Sequence, residues 1–118
     1  MPDERPTFPL NVHDDEREIL RTALRAFRDD LGHDEHRVAA VLEDLLDRVP
    51  ATEAEPLVLD AAAMKVTWSA LHTALDDSGR TQQEDRVHLR ALLDRMPGEH
   101  DIRAIDLDAE LLRRGAPG

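Results

Sequence analysis

Two groups of histidines and carboxylates in the chain have the spacing that catalysis or metal binding requires. Asp85 precedes His88 by three residues, so on a helix the carboxylate would lie beside the imidazole and orient and charge it, as a general base needs. The stretch GHDEH places His33 and His36 three residues apart, with two carboxylates between them. Two imidazoles and a carboxylate on one helical face suit Zn²⁺ or Ni²⁺. Either group would make the chain a metal- or histidine-dependent enzyme.

The surroundings of both groups favour a simpler interpretation. Asp85 and His88 stand next to Val87 and Leu89, and a small rotation of the helix would place both polar side chains in water. The GHDEH stretch has the composition of any solvated turn. The chain contains no cysteine, nucleophile elbow, phosphate loop or dinucleotide fingerprint. We therefore predict no catalytic residue, no metal site and no cofactor.

Composition indicates a single folded domain over residues 1–118. The net charge is -11, from 26 acidic and 15 basic residues, which disfavours a nucleic-acid binder because such proteins need a basic surface. No apolar run approaches the length of a membrane span, and the first residues lack the apolar core of a signal peptide. We expect a cytoplasmic protein with no nucleic-acid or membrane partner.

An internal repeat organises the helices that would position these side chains. Shifting the chain by 47 residues aligns residues 8–50 with residues 55–97 without a gap, and 13 of the 43 aligned positions are identical. The endings LLDRVP and LLDRMP match especially well, and DDLG at 29–32 matches DDSG at 76–79. A partial third copy is predicted over residues 102–114, where AIDLDAELL resembles LVLDAAAM.

Each copy reads as a short strand-like arm followed by a helical hairpin. The arms PLNV and PLVL follow a proline context that disfavours helix. His13-Asp14 or Asp60 then starts the first helix, and Asp34 or Thr81 the second. The predicted fold class is all-α: a pseudo-twofold pair of helical hairpins, giving four main helices, plus a short C-terminal helix. The arms before the two hairpins are candidates for a small sheet.

The repeated glycines are predicted to end the first helix of each copy. Gly32 and Gly79 follow matched acidic pairs, and a glycine after a helix commonly adopts the left-handed conformation. We expect both glycines at positive φ, with a cost of about 1–2 kcal/mol for Gly32→Val.

The two copies differ most along their first helices. The first copy carries a basic stripe, and the second has an apolar, aromatic row at the same positions. A helix apolar on most sides is central, faces a partner or lines a small-ligand pocket, and Trp is a typical interface anchor. The basic stripe is explained by intrahelical pairs such as Glu18–Arg21 and Arg25–Asp29, with recognition of an acidic partner as the alternative. The basic stripe consists of Arg17, Arg21, Arg25 and Arg28, and the predicted interface row of Met64, Trp68, His72 and Leu75.

These features favour a small helical protein–protein interaction module without catalytic activity, acting as a homodimer or adaptor. An acidic inhibitor or immunity-type protein that masks a basic enzyme or nucleic-acid-binding surface is the alternative, because the negative charge would steer it to a basic partner. An enzyme that uses Asp85, His88 or the His33/His36 pair is the third and least favoured.

Overall fold

The protein is built from helices and one small sheet, as seen in a computed structural model that describes residues 7–78 and 83–115. The predominantly helical fold predicted from the sequence is confirmed. A single turn of 3₁₀ helix (His33–Glu35) precedes the second helix. The elements in chain order are β1 (Phe8–Leu10), α1 (Arg17–Asp29), α2 (His36–Arg48), β2 (Leu57–Leu59), α3 (Ala61–Asp77), α4 (Gln83–Asp94), α5 (Glu99–Arg103) and α6 (Leu107–Gly115).

The two strand-like arms pair with each other as an antiparallel two-stranded sheet. Leu57 and Leu59 are buried while Val58 between them is 43% exposed, because successive side chains of a strand point to opposite faces. The sheet therefore contributes one apolar face to the core. The paired residues are Phe8 with Leu59, Pro9 with Val58, and Leu10 with Leu57.

Aspartate side chains cap two of the helices. At the start of α3, Asp60 Oδ1 accepts a hydrogen bond of 2.9 Å from the backbone N–H of Ala63. Ahead of α6, Asp106 Oδ1 accepts one of 3.2 Å from the N–H of Ala109. Each cap satisfies an amide in the first turn that has no partner within its own helix. The predicted role of Asp60 as a helix starter is confirmed.

The core lies between α3 and the other elements. Helix α3 packs against α1, α2, α4, α5 and α6, and also touches β2. Leucines from α1, α2, α3, α4 and both strands fill the centre, as expected for a chain with only three aromatic residues. The largest fully buried side chains are Leu10, Val12, Leu20, Leu24, Leu42, Leu45, Leu57, Leu59, Leu71, Leu89, Leu92 and Ile102.

The predicted conformation of Gly32 is wrong. Gly32 has φ -77° and ψ 171°, an extended conformation open to any residue, and α1 already ends at Asp29. Its carbonyl accepts a hydrogen bond of 3.1 Å from the N–H of Glu35, so Gly32 begins the next turn rather than ending the helix. The strain predicted for Gly32→Val assumed a positive φ, so it is no longer expected. Gly79 and Thr81 lie outside the described residues.

The C-terminal segment differs from the predicted third arm. Residues 104–106 form no strand, and two short helices, α5 and α6, occupy this region instead of one. Ile102 of α5 is fully buried, and Leu111 of α6 is 7% exposed. These two side chains attach the segment to the core next to α3.

The described residues include no helix with both the length and the apolar character needed to cross a lipid bilayer.

Candidate functional site

The predicted interface row lies on the central helix α3. No residue from 61 to 75 is fully exposed; the first exposed positions are Asp76 and Asp77 at the end of the helix. One face of α3, including Ala63, Val66 and Leu71, is buried in the core. The predicted row forms an adjoining face that is half-buried, so the surrounding helices cover it only in part.

Trp68 is the centre of this half-buried face. Its ring centroid lies 4.3 Å from that of His72, with the planes tilted by 56°. The guanidinium of Arg103 in α5 lies 5.9 Å from the centre of the Trp68 ring, within the range of a cation–π contact. Met64 and Leu75 pack partly against the core on either side. The four residues predicted from spacing therefore form one half-buried row, to which the fold adds Arg103.

Lys65, the single lysine of the chain, holds α5 in this position. Its amine donates a hydrogen bond of 2.7 Å to the carbonyl of Ile105 and a longer one of 3.4 Å to the carbonyl of Arg103. Both acceptors lie about forty residues away in the sequence, so spacing gave no signal for this contact. The lysine fixes the backbone from which Arg103 reaches Trp68.

Most arginines of the basic stripe of α1 are paired with nearby carboxylates, and one also contacts the backbone after α2. Arg17 forms an ion pair with Asp14, and its Nε donates a hydrogen bond of 2.8 Å to the carbonyl of Pro50. The guanidinium of Arg17 therefore links the start of α1 to the residues that follow α2.

The predicted partners of the other arginines were wrong. Arg25 lies 3.8 Å from Glu18, and Arg28 lies 3.7 Å from Asp29, in place of the expected Glu18–Arg21 and Arg25–Asp29 pairs. Arg21 is half-buried, with no ion pair to the described residues. The stripe thus consists mainly of locally compensated charges.

Asp85 and His88 line a cleft between α4 and the start of α1. The cleft has a volume of about 380 Å³, and its lining includes Asp15 and Glu18. His88 Nδ1 lies 4.0 Å from Asp15 Oδ2, so the carboxylate beside it comes from another element and is not that of Asp85, which the enzyme hypothesis paired with it. The sequence singled out this histidine but gave no signal for its partner.

The second histidine pair lies elsewhere. His33 and His36 are both exposed at the junction of the 3₁₀ turn and α2.

Glu16 is a buried carboxylate beside this cleft. It is 3% exposed, and its Oε1 accepts hydrogen bonds from the backbone N–H of His13, at 2.9 Å, and from the guanidinium of Arg95. A buried carboxylate requires such partners because desolvation disfavours its charge. Arg95 directly follows α4, so the pair joins the start of α1 to the end of α4. Sequence reasoning missed Glu16 because nothing in its neighbours marks it as buried.

Asp60 is held ionised by its surroundings. Burial alone would raise the pKa of Asp60, but hydrogen bonds from Arg114 and the Ala63 N–H, with the charges of Arg114 and Arg48, outweigh it and lower the pKa below 3.8. Both Asp60 oxygens lie 2.8 Å from Arg114 Nη2. The cap of α3 is thereby linked to α6.

No protein-family model, curated protein or solved structure matches the chain.

Proposed function

We propose that the protein is a helical protein–protein interaction module without catalytic activity, and that it acts as a homodimer through the row Met64, Trp68, His72 and Leu75. The observation that carries the proposal is the half-buried state of Trp68 on a helix that every other described helix already contacts. Fully burying a large apolar side chain is worth roughly 1.5–3 kcal/mol. A second copy that covers the row would recover the part of this energy that the monomer leaves unused.

The chemistry of the row supports a protein partner. Trp and Arg are the residue types most enriched among the energetic centres of interfaces, and here Trp68 and Arg103 are adjacent. In a twofold dimer the same patch serves both subunits, so each Trp68 would pack near its counterpart. The flanking Met64 supplies a flexible apolar side chain that adapts to a facing surface.

The test is a charge placed in the row. Trp68→Glu should convert a dimer into a folded monomer, measured by sedimentation velocity with circular dichroism on the same samples. Val87→Glu is the matched control, because Val87 is an apolar residue of α4 that is already 57% exposed. A monomeric wild type, or a dimer that survives Trp68→Glu and dissociates in Val87→Glu, would show that the row is not the interface.

The pseudo-twofold pairing of hairpins is part of the same proposal. Positions related by the repeat have matching burial: Leu24 and Leu71 are both 0% exposed, and Val49 and Met96 are both 7% exposed. In the sheet, Leu10 pairs with its repeat equivalent Leu57, which is where a local twofold axis would pass.

The repeated arginine of LLDRVP and LLDRMP gives further support. Arg48 donates a hydrogen bond of 2.8 Å to the carbonyl of Val58, at the start of the second copy. Arg95 reaches Glu16, at the start of the first copy. Each of the two arginines therefore contacts the first part of the other copy, although the acceptors Val58 and Glu16 do not occupy equivalent positions of the repeat.

An acidic inhibitor of a basic protein is the second candidate, favoured by the net charge of -11 and by the pairing of many arginines with carboxylates. Raising the salt concentration distinguishes the two functions. The affinity of a complex between an acidic and a basic protein falls as ionic strength rises, whereas the affinity of an apolar dimer does not.

A further inference from the structure

We infer that Asp15, Glu16 and His88 form a binding site for a divalent first-row transition metal ion, with Zn²⁺ as the best match. In the described part of the chain, these three side chains are the group whose potential ligand atoms all lie within 4.8 Å of one another. Two ligands come from the turn before α1 and the third from α4. The site is therefore created by the tertiary fold rather than by local sequence spacing, and it does not depend on the proposed dimer.

The distances are close to those of a metal centre. Zn²⁺ binds histidine nitrogen and carboxylate oxygen at about 2.0–2.2 Å, which places two ligand atoms of one ion roughly 3–3.5 Å apart. His88 Nδ1 and Asp15 Oδ2 are 4.0 Å apart. Both side chains reach the protein surface, since His88 is 22% and Asp15 69% exposed. Rotation of the exposed Asp15 side chain would bring its carboxylate closer to His88 Nδ1.

Glu16 provides the rigid part of the site. Its side chain is 4% exposed, and the hydrogen bonds from His13 and Arg95 both end on Oε1. Those contacts orient the carboxylate and leave Oε2 for a metal ion. Hydrogen bonds from outside the ligand set commonly fix ligating carboxylates in this way.

The charge of the cleft favours a cation. Glu18, Glu84 and Asp85 line the same cleft as Asp15 and His88, and the buried Glu16 lies beside it. The guanidiniums of Arg95 and Arg25 offset the charges of Glu16 and Glu18, and among the described residues carboxylates still outnumber guanidiniums around His88. A bound divalent ion would compensate this excess and relieve the repulsion between the carboxylates.

The ligand set selects the class of metal. One imidazole and two carboxylates without a thiolate suit Zn²⁺, Mn²⁺ or Co²⁺ and disfavour Cu⁺, which prefers sulfur. Three protein ligands leave at least one coordination position for water. The repeat marks the position as unusual, because the equivalent of His88 is Val41, which is 1% exposed in the core.

The experiment is calorimetric titration of chelator-treated full-length protein with ZnCl₂. We expect one Zn²⁺ per chain at this site, with an affinity at least about tenfold lower in His88→Val and in Asp15→Asn. His88→Val introduces the residue that the first copy carries at this position, so the variant should fold, which circular dichroism checks. His36→Val is the matched control for exposed histidines and should bind Zn²⁺ like the wild type.

Nuclear magnetic resonance of the imidazole groups provides a second readout that does not depend on the affinity of a variant. Zn²⁺ should shift the ring resonances of His88 before those of His33 and His36. Absence of Zn²⁺ binding, unchanged affinity in a folded His88→Val, or first shifts at His33 and His36 would each overturn the inference.

Discussion

Thr67 is the one fully buried residue of α3 whose side-chain hydroxyl has no hydrogen-bond partner among the described residues. Its repeat equivalent is Leu20, which is also 0% exposed. We expect Thr67→Val to stabilise the protein, because valine has nearly the same shape but carries no hydroxyl to desolvate. The two residues also have similar helix propensities, so the backbone contributes little to the difference.

The expected gain is about 1 kcal/mol. A buried polar group without a partner costs about 1–3 kcal/mol, and the lower end applies because a helical threonine can turn its hydroxyl toward the carbonyl four residues earlier, here Ala63. Urea unfolding at a fixed protein concentration measures the change. With a urea dependence of about 1–3 kcal/mol per molar for a small protein, the midpoint should rise by roughly 0.3–1 M.

Two further variants isolate the cause. Thr67→Ser keeps the hydroxyl and removes a buried methyl group, and should lower the free energy of unfolding by about 1 kcal/mol. Thr22→Val removes a hydroxyl at an exposed position of α1 and should change the free energy by no more than about 0.5 kcal/mol. A Thr67→Val variant that is less stable than wild type would show that the hydroxyl makes a stabilising bond, which would refute the reasoning.

Two other predictions concern backbone and pH. Gly32→Ala should leave the free energy of unfolding unchanged or raise it by up to about 1 kcal/mol, because Gly32 has negative φ and an added Cβ would meet no atom within 4 Å. A decrease of more than about 1 kcal/mol in the free energy of unfolding, measured with urea, would contradict the extended conformation. Ionised Asp60 stabilises the fold at pH values above the unfolded-state pKa near 3.8, and this stabilisation is lost as the pH falls through the lower pKa of the folded state. Wild type should therefore lose more stability below about pH 4 than Asp60→Asn, with Asp106→Asn as the control. Parallel pH profiles of thermal unfolding in wild type and Asp60→Asn would contradict the role of Arg114.

The helices and arms were predictable because local rules determine them. Apolar spacing gave the inner face of α1, where Leu20, Ala23 and Leu24 are buried. The aspartate before an alanine-rich stretch gave the capped start of α3 at Asp60. The proline context before PLVL predicted an extended arm, which the structure shows as strand β2. Each of these signals acts within a few residues of the chain.

The contacts between elements were not predictable from the sequence. The Glu16–Arg95 pair joins residues 79 positions apart, and the hydrogen bond from Lys65 to Ile105 joins residues 40 apart. The conformation of Gly32 was misjudged because a glycine after an acidic pair also suits the start of the next turn. Of the candidate site, the row around Trp68 was found from helical spacing, whereas its partner Arg103 required the fold.

Two of the positions at which the copies differ carry polar residues where the first copy has buried apolar ones. Thr67 stands where the first copy has a buried Leu20, and His88 stands where it has a buried Val41. At both positions a polar side chain takes the place of a buried apolar one. Departures from local rules concentrate at functional or strained positions in natural proteins. On that basis His88 is the stronger candidate for a selected function, because it lies near Asp15 across a cleft. Among the described residues the Thr67 hydroxyl has no hydrogen-bond partner, so this threonine is a destabilising feature that the fold tolerates.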